Sequence, residues 1–162
     1  MTLPLIFIFG LLGACFALII ELIALDPGVL SGGMVFTFTL SGLVVLAALA
    51  FIEEVSKYLF LRQYLLRFFT NVSPNSRQVL TLGCFFGIGF ASLEMLLVLN
   101  GQTDNSPLLG LMGVFSLHIA TSLIIVFFLR HPEKRSFSSF LAPIALAVAL
   151  HLLYNSILSF VL

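Results

Sequence analysis

Phe51-Ile52-Glu53-Glu54-Val55-Ser56-Lys57-Tyr58-Leu59-Phe60-Leu61-Arg62 follows a long run without charge. Two carboxylates stand side by side, and Lys57 follows at spacings of three and four. On a helix those spacings bring the lysine close to both acids. A carboxylate at mid-membrane costs about 2.5–3.5 kcal/mol on insertion scales. Two together are sustainable only if polar groups face them. Three further ionisable residues in apolar surroundings are available: Glu94, His118 and His151. The plain alternative is the end of a span with ordinary interfacial charges.

Composition places the chain in a bilayer. Its hydrophobic fraction is 60% and its charged fraction 9%, against about 25% charged in soluble domains. Mean hydropathy is +1.20. The formal net charge is zero, which leaves no basic surface for nucleic acid. Cys15 and Cys84 lie in separate apolar runs without metal-ligand spacing and read as packing residues.

Five apolar runs approach the 20 or so residues that cross the hydrocarbon core: 3–25, 32–52, 79–99, 107–129 and 140–162. They predict one domain over residues 1–162, an all-α polytopic membrane helix bundle of about five transmembrane helices. The first run has no basic flank or small-residue cleavage site, so it reads as a span and not a signal peptide. Breaks are marked by Asp26-Pro27-Gly28, Asn71 to Ser76, Gly101 to Ser106 and His131-Pro132-Glu133. Basic residues fall in two places: Lys57, Arg62, Arg67 and Arg77 between spans two and three, and Arg130, Lys134 and Arg135 between spans four and five. The positive-inside rule then puts the N-terminus inside and the C-terminus outside.

Span two admits two readings. Apolar residues resume after Lys57, interrupted by Arg62 and Arg67. Either an interfacial amphipathic helix follows, or span two is long and tilted with its inner end near Arg67. The long helix puts Glu54 about 20 Å above that end at 1.5 Å per residue. On the same measure Glu94 lies about 22 Å and His151 about 16 Å above the inner ends of their spans. Only the long helix brings the three to one depth, and it is the reading preferred.

Each polar position has a bland alternative. Phe90-x-x-x-Glu94 follows a stripe of Gly83, Gly87 and Ala91, which points Glu94 at other helices; a structural buried acid would also fit. His118, with Thr121 and Ser122 one turn on, could be a satisfied packing group. His151-x-x-x-Asn155 sets an imidazole and an amide one turn apart, with Ala147 and Ser156 near the same face. Glu21 sits near an outer span end and is set aside. Thr37, Thr39 and Ser41 are expected to bond back to their own helix. The chain has no Gly-rich phosphate loop, Gly-x-Ser-x-Gly or His-Glu-x-x-His. Intramembrane Glu and His suggest two chemistries. A carboxylate and an imidazole could activate water while Asn155 or a histidine polarises a carbonyl. Alternatively the same residues could bind a metal that activates the water.

Glu53-Glu54-x-x-Lys57, Phe90-x-x-x-Glu94 and His151-x-x-x-Asn155 together resemble the PrsW family of intramembrane proteases, itself similar to type II CAAX prenyl endopeptidases and bacteriocin-processing membrane proteins. The resemblance covers Glu53 to Asn155. It implies hydrolysis of a peptide bond in a membrane-anchored protein, of the anti-sigma factor type. Glu53 or Glu54 would be the water-activating base. Glu94 stands where the CAAX relatives carry histidine, which favours PrsW. His151 would be catalytic or an oxyanion group, and His118 matches a fourth, His-containing motif. Lys57 and Phe90 support these residues. Asn155 departs from the usual His-x-x-x-Asp. The resemblance favours a glutamate mechanism without cofactor. A zinc enzyme, with Glu54, Glu94, His118 and His151 as ligands, is the alternative.

The expected setting is the cytoplasmic (inner) membrane, with a membrane-anchored protein substrate and the lipid bilayer as partners. Competing readings are a CAAX-type or bacteriocin-processing peptidase, a small proton-coupled transporter and a non-catalytic scaffold. A carrier needs acids spread along a path through the membrane. A hydrolase needs them converged.

Overall fold

Capping and proline set the helix starts. Asn75 and Gln78 clasp each other, backbone amide to side-chain oxygen, at 2.8 and 2.9 Å. This is a capping box, and it satisfies two donors that a helix start leaves open. Pro4, Pro107 and Pro143 each fall in a first turn, where the missing N–H costs nothing. The computed structural model describes residues 3–24, 40–69, 72–101, 107–131, 133 and 139–161. The breaks expected at Asp26-Pro27-Gly28 and residues 102–106 lie outside them. So do Thr37, Thr39, Asn71, Pro132, Lys134, Arg135 and the side chain of Ser41.

The described residues form five helices and no strand: α1 (Leu3–Ala24), α2 (Leu40–Phe68), α3 (Ser76–Gly101), α4 (Pro107–Leu129) and α5 (Leu141–Val161). The all-α expectation holds. Three are long and apolar enough to cross a membrane: α1, α3 over Ser76–Leu97 and α4 over Met112–Leu129. The apolar part of α5, Leu141–Ile157, is shorter, and α2 carries the charges.

Span two is one unbroken helix past Arg62 and Arg67, as the long-helix reading requires. No Gly or Pro interrupts it after Gly42. Tyr58, Leu61, Tyr64 and Leu65 recur at helical spacing and are buried. Its 29 residues span about 43 Å at 1.5 Å per residue.

The helices close into a ring. α3 packs between α1 and α4, α5 joins α4 to α2, and α2 returns to α1 and also touches α4. α1 shows how. Its inward face is Ile6, Gly10, Gly13, Ala14 and Ala17, while Ile8, Leu12, Phe16, Ile19 and Ile23 point outward. Small residues inside and large ones outside is the pattern of close helix packing in lipid. Cys15 is exposed on that outer face and Cys84 is half-buried, so Cys15 is not the packing residue expected. α3 uses Gly83 and Gly87 against α4; a Cβ on Gly87 would stand 2.6 Å from the Ile119 Cα. Along α4 the order is Val114, then His118, Thr121 and Ser122, then Ile125, Val126 and Leu129, all buried. A polar layer thus lies between apolar ones.

Candidate functional site

Burial excludes the plain alternative, in which the Glu-Glu-Lys stretch carries ordinary solvated charges at a span end. Glu54 and Lys57 are 0% exposed. Lys57 therefore leaves the set of loop cations. Its Nζ donates to Glu54 Oε1 at 2.6 Å and to Thr121 Oγ1 at 2.9 Å, and lies 4.7 Å from the Phe90 ring centroid. One ammonium thereby ties α2 to α4 and rests on α3.

His118 and His151 each meet a glutamate from another helix. His151 Nδ1 lies 3.0 Å from Glu54 Oε1 and 3.9 Å from Glu53 Oε2. His118 Nε2 pairs with Glu94 Oε2. The two imidazoles meet edge to face at 5.8 Å between centroids, and Phe90 lies 5.1 Å from His118. Both histidines are buried. Asn155 is half-buried, one turn beyond His151. Glu53, Glu54, Lys57, Phe90, Glu94, His118 and His151, expected from the sequence, thus share one region of the bundle.

Glu53 and Glu54 face different neighbours. Successive helical residues are rotated by about 100°. Glu54 therefore takes the closer contact with His151 on α5, at 3.0 Å, while Glu53, 3.9 Å from the same nitrogen, also faces α1 and α3. There it lines a cavity of about 40 Å³ with Glu21, Phe90 and Glu94.

This rotation also changes the candidate metal set. Glu53, Glu94 and His118 offer ligand atoms that lie within 4.8 Å of one another. Glu54, named with His151 from the sequence, is instead engaged by Lys57. One imidazole and two carboxylates suit zinc, whose catalytic sites use three protein ligands. Buried Glu53 Oε2 and His118 Nδ1 have no hydrogen-bond partner among the described residues. The residues present fit such an ion.

Two contributors were not foreseen. Thr121, which accepts from Lys57, reads in the sequence only as a small polar neighbour of His118. Glu21 was set aside, yet it lines the cavity. Its signal was available: Ala14 and Ala17 lead into it at helical spacing, as Gly83, Gly87 and Ala91 lead into Glu94.

Comparison with curated proteins and with solved structures gives no match. A family model described as PrsW family intramembrane metalloprotease matches residues 2–162. A match over nearly the whole chain, on a bundle that gathers the residues carrying the resemblance, makes this chain a member of the PrsW family of intramembrane proteases.

Proposed function

We propose that the protein cleaves a peptide bond of a membrane-anchored substrate with a water activated by Glu53, inside the cytoplasmic membrane. The observation that carries this reading is the convergence of paired Glu and His side chains from α2, α3, α4 and α5 in one polar layer of the bundle.

Roles follow from position. Glu53 borders the cavity and has an unpartnered oxygen, which suits a general base. Glu54 is held by Lys57 and accepts from His151 Nδ1, so it orients that imidazole and leaves Nε2 for the substrate. Water oxygen attacks the scissile carbonyl carbon as its proton passes to Glu53. His118, His151 or Asn155 donates to the oxygen that gains charge. The C–N bond then breaks, and the proton returns to the leaving amine.

A second reading rests on the Glu53, Glu94 and His118 group. A zinc-type ion held there would supply Lewis-acid polarisation of water or carbonyl. An anti-sigma factor-type protein is the substrate class we propose.

The test is cleavage of a membrane-tethered reporter by purified protein in nanodiscs. Glu53→Gln, Glu54→Gln and Glu94→Gln should each lower the rate about 10²–10⁴-fold, the usual weight of acid–base catalysis, with insertion intact. Retained cleavage in all three would end the hydrolase reading. Treatment with a chelator separates the mechanisms: unchanged turnover supports the glutamate route, while loss restored by zinc supports the metal.

A further inference from the structure

Glu21 stands on α1, a helix that carries none of the motif residues. It lines the same cavity of about 40 Å³ as Glu53 and Glu94. Glu21 Oε1 and Glu53 Oε2 are both buried, and neither has a hydrogen-bond partner among the described residues. The remaining walls include Ala14, Ala17 and Leu97, which offer no donor. Buried Lys57 is already turned to Glu54 and Thr121.

A carboxyl group accepts hydrogen bonds and, when protonated, also donates one, so a water, which does both, can pair with these oxygens in either state. The occupant must also be small. A cavity of this volume holds at least one water, and a buried water typically makes two to four hydrogen bonds. Carboxylates on three different helices supply such partners around one space. An apolar occupant would leave the two buried oxygens unpaired, and an anion would meet three acids.

We propose that Glu21 is a further catalytic residue, holding the hydrolytic water against Glu53, and that α1 is therefore part of the active site; this rests on the hydrolase reading above. The water donates one proton toward each carboxylate. When its oxygen bonds to the scissile carbon, the proton facing Glu53 is transferred and the one facing Glu21 stays. Glu21 starts and ends the cycle unchanged. Its role is to fix the direction of the attacking lone pair, which sets the rate more than the affinity for substrate.

The experiment uses full-length protein in nanodiscs with the tethered reporter, comparing wild type, Glu21→Gln and Glu21→Leu. Glu21→Leu replaces the acceptor with an apolar group. It should lower kcat about 100-fold, the scale of a misplaced reactant, with KM nearly constant. Glu21→Gln keeps an acceptor at nearly the same size and should lose less. A high-resolution cryo-EM map gives a readout independent of turnover: a water bridging Glu21 and Glu53 in wild type, gone in Glu21→Leu. A Glu21→Leu protein that melts like wild type and keeps wild-type kcat overturns the proposal. So does a change confined to KM, or a wild-type map without the bridging water. If Glu21→Leu does not fold, Glu21→Ala, which also removes the acceptor, decides by the same kcat criterion. Were wild type to cleave no reporter while the map holds the bridging water, the water site would stand and the hydrolase reading would fall.

Discussion

Lys57 is the site's one buried cation among the described residues. A buried ammonium in a membrane protein is expensive unless every donor is matched. Here Glu54, Thr121 and the Phe90 ring share it. Removing one partner of a buried pair typically costs about 3–5 kcal/mol, because the other charge is left alone. Lys57→Met should therefore destabilise the bundle by about that much. Adding Glu54→Gln should recover part of the loss. Unfolding in mixed micelles, run as a double-mutant cycle, measures both; strict additivity would show the pair to be uncoupled. The sequence revealed that Lys57 lies near both acids, since spacings of three and four require it. It could not reveal that Glu54, and not Glu53, takes the bond. That choice depends on how α2 is rotated about its axis, which is set by neighbours distant in sequence. The place of Glu21 beside the cavity was missed for a related reason: position along a span says nothing of which way a side chain faces.

Among the elements, α3 governs the geometry. Its glycines let α4 come close enough for His118 to reach Glu94. A Cβ on Gly87 would stand 2.7 Å from the His118 carbonyl oxygen and 2.6 Å from the Ile119 Cα. Backbone cannot yield as a flexible side chain can, so α4 must move outward. Gly87→Ala should lower both stability and reporter cleavage, the latter at least tenfold, by misplacing His118. Leu80→Ala, at an exposed site on the same helix, should change neither. The Gly83, Gly87 and Ala91 stripe was legible in the sequence, and it correctly aimed Glu94 inward. The reach of α2 past Arg67 was legible as well, because apolar residues at helical spacing run through Arg62 and Arg67. The start of α3 was placed at Val79, three residues late. Hydropathy passed over the polar turn that Asn75 and Gln78 build.

For the whole molecule, the ring explains why neither composition nor periodicity could locate the site. The polar layer exists only when α2, α3, α4 and α5 stand together. Orientation in the membrane follows from the cations that remain once Lys57 is counted as buried. Arg67 and Arg77 are exposed near the facing ends of α2 and α3, and Arg130 follows α4, which runs antiparallel to α3. By the positive-inside rule we propose that these ends face the cytoplasm. Cysteines at Ser76 and Glu133 should react with impermeant reagents only from that side, and labelling from outside would reverse the topology.

The pairing of Glu54 with His151 has a consequence for biosynthesis. The acid is made with the second helix, its imidazole only with the fifth. A chain leaving the ribosome therefore holds an unfinished centre until its last partner is seated. On the proposed mechanism, freshly inserted protein would be inert toward its neighbours in the membrane, and competence would arrive with the closing step of assembly. Protein halted after Leu129 should insert yet cleave nothing, and supplying the missing helix as a separate chain should restore turnover.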